Sequence, residues 1–132
     1  MNFRPYIDEA AAAFPKVMTP EMISRGCAAF GFSVTAFSDA FAMAVAREYL
    51  DGKLSWSDAD AAMNGLSGYF SLHLPTEVPF PDYAWGIYLA FDAGEIAQDP
   101  ERVTKEQLAD CMQKRPNQPP EPTRPFGPSG SS

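Results

Sequence analysis

The sequence predicts an all-α domain, a compact bundle of five or six helices over residues 1–115, followed by a Pro-rich disordered tail over 116–132. Three observations carry this. Apolar residues recur at three- and four-residue spacing. Residues that start and stop helices stand at the ends of those runs. Few runs alternate with period two, as half-buried strands would. Apolar residues are 45% and aromatics 13% of the 132-residue chain, enough to fill a single core without disulfides or metals.

The elements follow in order. Tyr6 to Phe14 is a short Ala-rich helix stopped by Pro15. Thr19-Pro20-Glu21 combines an N-cap, a proline at the first helical position and an acid in the first turn. That helix runs to Phe30 and Gly31 ends it. The third starts near Ser33 and ends at Asp51-Gly52, with Val34, Phe37, Phe41, Val45 and Tyr49 marking its buried face. The fourth begins at Ser55 or Ser57 and passes Gly65 and Gly68, each costing about 1 kcal/mol against alanine, so a break or kink is expected near Gly65. His73 to Asp82 is a proline-punctuated loop. Tyr83 to Phe91 is apolar almost all round. The spacing of Trp85/Leu89 and Ile87/Phe91, an Asp82 cap and a stop at Gly94 favour a central buried helix over a strand. Thr104-Lys105-Glu106-Gln107 reads as a capping box opening the last helix, which Pro116 ends.

The 17 residues from Pro116 to Ser132 hold six of the 13 prolines. Proline removes backbone donors and forbids helix, and little there fills a core. Prolines 116, 119, 122, 125 and 128 fall at Pro-x-x-Pro spacing, the pattern of SH3-type ligands, although a solvated tail accounts for them as well. Cys27 and Cys111 are far apart and lack zinc spacing. They read as two free thiols in a reducing cytoplasm. No cofactor or metal is implied. Ala10 to Ala13 is too short for a signal h-region, and no 18-residue apolar span occurs, so the chain is expected to be soluble and cytoplasmic.

The chemistry-bearing patterns are sparse. The single histidine, His73, has no nucleophile elbow or activated cysteine to serve. Asp58, Asp60 and Asn64 resemble a calcium-loop opening, but position six is Met63 and position twelve is Tyr69 where glycine and glutamate are required. Gly65-Leu66-Ser67-Gly68 matches a backbone-clamping Gly-x-x-Gly only as a string, with no basic residue near. No phosphate-binding glycine loop occurs.

Charge placement is more informative. Seventeen acidic residues against ten basic ones give a net charge of −7. This argues against nucleic acid and against anionic lipid. The excess is not spread evenly. The 48 residues from Leu54 to Glu101 contain no Lys or Arg and carry Asp58, Asp60, Glu77, Asp82, Asp92, Glu95, Asp99 and Glu101. Nine acids and ten bases remain elsewhere, so the flanks are nearly neutral. Trp56, Phe80, Trp85 and Tyr88 are interleaved with these acids, and Phe80, between two prolines, reads as exposed. Aromatics ringed by acids suit an interface with a basic protein.

The segment Trp85-Gly86-Ile87-Tyr88-Leu89-Ala90-Phe91-Asp92-Ala93-Gly94-Glu95 resembles small acidic bacterial proteins encoded beside polymorphic toxins, the immunity proteins. The likeness is an aromatic helix followed by Phe-Asp-x-Gly-Glu and covers about a tenth of the chain. It implies a cytoplasmic inhibitor that plugs the active site of a cognate toxin with acidic groups. The expected function is therefore non-enzymatic neutralisation of a basic toxin or enzyme. Asp58, Asp60, Glu77, Asp82, Asp92 and Glu95 supply the charge, and Trp56 and Phe80 the apolar anchors. The alternatives are a helical adaptor or chaperone for a secretion or phage system, and an enzyme of unfamiliar class using His73.

Overall fold

The computed structural model describes residues 1–114, and among them forms six helices and no strand. They are α1 (Arg4–Ala13), α2 (Pro20–Phe30), α3 (Val34–Leu50), α4 (Trp56–His73), α5 (Asp82–Glu95) and α6 (Pro100–Lys114). The Pro-rich segment read as a tail lies outside the described residues.

Local chemistry sets most of the boundaries. The Thr19 hydroxyl accepts from the Met22 backbone N–H at 3.2 Å, with Pro20 opening α2. Gly31 closes that helix at φ 70°, a left-handed conformation that other residues adopt only with strain. Ser33 caps α3 through the Ala36 N–H at 3.0 Å, and Ser55 rather than Ser57 caps α4 through Asp58 N–H at 3.1 Å.

Four expectations are corrected. First, α1 starts at Arg4, because Pro5 is tolerated in a first turn. Second, α4 does not break at Gly65. Its two glycines instead let the chain between α1 and α2 lie against the helix. Met18 N–H donates to Gly65 O at 3.1 Å, and a Cβ on Gly68 would collide with the Val17 side chain. The helix-propensity cost is offset by an approach that alanine forbids. Third, Asp82 is not the cap of α5 and Gly94 is not its stop. Asp82 lies within the first turn, and the free Ala84 N–H donates to Asp39 Oδ1 of α3 at 2.9 Å. Gly94 is buried inside the helix, where a Cβ would run into Thr104 and lie 3.0 Å from the Pro100 carbonyl. Fourth, α6 begins at Pro100, not Thr104. Asp99 Oδ1 accepts from Arg102 N–H at 3.2 Å, leaving Thr104 buried inside the helix.

The core sits where α5 meets α3, α4 and α6, with α1 laid on α4 and α2 on α3. Phe37 anchors one end among Phe3, Tyr6 and Phe41, with ring centroids 5.8, 6.2 and 5.8 Å away. Phe91 anchors the other, 5.4 Å from Tyr49 and 6.4 Å from Trp56. Both are fully buried. Each contributes roughly 1.5–3 kcal/mol through burial alone. The surface pairs Arg4–Asp8 (2.8 Å) and Arg25–Glu9 (3.1 Å) are solvated and contribute little to stability. No single helix among the described residues is long and apolar enough to cross a membrane. Only α2 and α3 taken together pass on length and composition, and they are bent 89° to each other.

Candidate functional site

The short loop between α4 and α5 makes the two helices antiparallel neighbours. Asp60 therefore comes level with Glu95, and Ser67 with Tyr88. Asn64, one turn beyond Asp60, places its side-chain Nδ2 between the two carboxylates, 3.3 Å from Asp60 Oδ2 and 2.9 Å from Glu95 Oε2. Asp92 stands one turn before Glu95 on the same edge of α5. Three acids separated by up to 35 positions in sequence thus share one patch.

Among the described residues no Lys or Arg forms an ion pair with Asp60, Asp92 or Glu95. The consequence is visible in Asp60. Its partial burial, the hydrogen bond with Glu95 and the charges of Glu95 and Asp92 push its carboxyl up to about 8. Asp60 is thereby held largely protonated at neutral pH. Tyr88 is raised by burial and by Asp92, against a hydrogen bond from Ser67 that opposes the shift.

A pH dependence of stability follows. Because Asp60 holds its proton more tightly folded than unfolded, stability falls as pH rises from about 4 towards 8. Over that window the urea midpoint of the wild type should drop, and Asp60→Asn should flatten the drop and raise the midpoint at pH 8. Parallel curves for the two proteins would refute the raised affinity of Asp60 for its proton.

The other sequence candidates lie elsewhere. Asp58 is exposed in the first turn of α4, about 200° round the helix from Asp60. Glu77 is exposed in the α4–α5 loop, and Asp82 is at the far end of α5, roughly 20 Å from Glu95. Trp56 is half-buried, with its indole N–H donating to Thr104 Oγ1 at 2.9 Å, so it fastens α6 to α4 rather than facing outward. Phe80 is only partly exposed. It packs edge-on against Phe70 at 4.9 Å and against Trp85 and Tyr88, each at 6.1 Å. His73 is exposed at the end of α4, its ring 5.7 Å from that of Tyr69.

The aromatic residue of α5 that faces solvent is Trp85, 49% exposed and stacked on Tyr88 at 5.9 Å, with Leu89 beside it at 39%. The sequence reading placed both in a buried helix. Their spacing carried the missed signal: positions 82, 85, 89, 92 and 96 form one stripe, and two of its members are aspartates. No protein-family model, curated protein or solved structure matches the chain. Among the described residues no group of three or more His, Cys, Asp or Glu side chains is arranged to hold a metal ion. A shallow hollow of about 530 Å3 on the outer face of α2, lined by Pro20, Glu21, Ser24, Arg25 and Ala28, includes none of the sequence candidates.

Proposed function

We propose that this protein is a non-enzymatic, immunity-type inhibitor that binds and neutralises a basic toxin or enzyme through the α4/α5 face. The observation that carries the reading is the gathering of Asp60, Asp92 and Glu95, without basic partners among the described residues, beside the exposed Trp85. Uncompensated acids favour a cationic surface, and an exposed indole next to them provides the large apolar contact that dominates protein interfaces.

The test is co-expression with the products of neighbouring reading frames. A stable complex that lowers the partner's activity, with binding lost in a Trp85→Ala/Asp92→Lys variant that keeps its helical circular dichroism, supports the reading. A complex that forms equally well with that variant overturns the assigned face.

A further inference from the structure

Beyond the choice of partner, and independently of it, we propose that the outer face of α5 is also a docking surface for this chain's own Pro-rich segment, residues 115–132.

The route out of the fold comes first. α6 runs antiparallel to α5, with Gly94 against Pro100 and Thr104 at one end and Gly86 against Cys111 at the other. The helix ends at Lys114, one turn past Cys111. The last described residue is thus three positions past Cys111, which faces Gly86 beside the half-exposed Trp85, and 18 residues of sequence follow it.

The surface there has the chemistry that proline-rich chains use. Phe80, Trp85 and Tyr88 meet at 5.9–6.1 Å, with Phe80 edge-on to both of the other rings. Aromatic ridges of this kind bind polyproline II segments, which sacrifice little conformational entropy on docking. Prolines 116, 119, 122, 125 and 128 are spaced by three throughout. A polyproline II helix has three residues per turn, so that spacing lines them along one edge.

Length and charge complete the match. From Trp85 to Glu95 along α5 is roughly 15 Å. From Pro119 to Arg124 in polyproline II is also about 15 Å. A reversal over Arg115 to Gln118 would seat Pro119 on Trp85 and bring Arg124 to Asp92 and Glu95. Those acids have no ion pair among the described residues, and Arg124 is a cation in a segment whose only acid is Glu121. The segment would then occupy the face proposed for the partner, and a partner would have to displace it.

The experiment is NMR on the full isotope-labelled chain. Proline-ring to Trp85-indole NOEs are expected. Pro119→Ala/Pro122→Ala/Pro125→Ala should remove them and shift the Trp85 indole N–H resonance, while the Trp56 resonance, held by Thr104, stays in place. Arg124→Glu should weaken the same NOEs, as should high salt. An unchanged Trp85 resonance in the triple variant, with no NOE from the segment to α5, overturns the proposal. So do NOEs that run only between labelled and unlabelled chains in a mixed sample, which would make the occupant a second copy.

Discussion

Replacing Phe91 with alanine is expected to destabilise the fold by about 3–5 kcal/mol, whereas Leu89→Ala, two residues away, costs at most about 1 kcal/mol. Phe91 is fully buried between Tyr49 of α3 and Trp56 of α4, and α6 reaches the same centre through the Trp56–Thr104 hydrogen bond. Truncation there opens a cavity shared by four helices, which no single side chain can refill. Leu89 is 39% exposed and lies on the opposite side of α5. Urea unfolding followed by circular dichroism measures both. Equal losses for the two variants would mean that the orientation of α5 is wrong.

The second large effect is kinetic. Asp92→Asn and Glu95→Gln together should slow association with the proposed basic partner by about tenfold or more at low salt, and should remove most of the salt dependence of the on-rate. These side chains keep their shape, so dissociation should change less than association. Asp58→Asn with Glu77→Gln removes two charges from the same basic-free segment, but away from the patch. Stopped-flow measurements at several ionic strengths separate the outcomes. If both sets of substitutions slow binding alike, the acids act as a diffuse field rather than as a patch.

The sequence made some features readable because their causes are local. Thr19 with Pro20, Ser33, and Gly31 beyond Phe30 act within a few residues of themselves, and α2 and α3 come out with the expected ends. The misreadings share the opposite property. Gly65 and Gly68 look like helix breakers until Val17 and Met18 are seen lying against them. Gly94 looks like a stop until Thr104 fills the space beside it. Thr104 looks like a cap because its hydroxyl stands ahead of two apolar turns, yet Asp99-Pro100-Glu101 repeats the Thr19-Pro20-Glu21 signature and marks the true start. All three acids of the α4/α5 patch fall in the basic-free stretch from Leu54 to Glu101, which composition alone marks out. Selecting Asp60, Asp92 and Glu95 from its eight acids required knowing that α4 and α5 run antiparallel and in which register. Trp85 was hidden because a helix apolar almost all round offers no clear wet side until its neighbours are placed.

The hydrogen bond from Ala84 N–H to Asp39 has a consequence for the order in which the molecule comes apart. A helix ordinarily carries its own cap and frays from its ends. The start of α5 is satisfied by a residue 45 positions upstream, on another helix. Separating α3 from α5 therefore unties the first turn of α5 in the same event, and the aromatic face that begins at Phe80 loses its footing with it. Amide exchange at Ala84 should accordingly follow the opening of the whole bundle rather than terminal fraying. Any fragment cut between α3 and α4 would carry the acidic and aromatic residues but not the carboxylate that holds their helix in place.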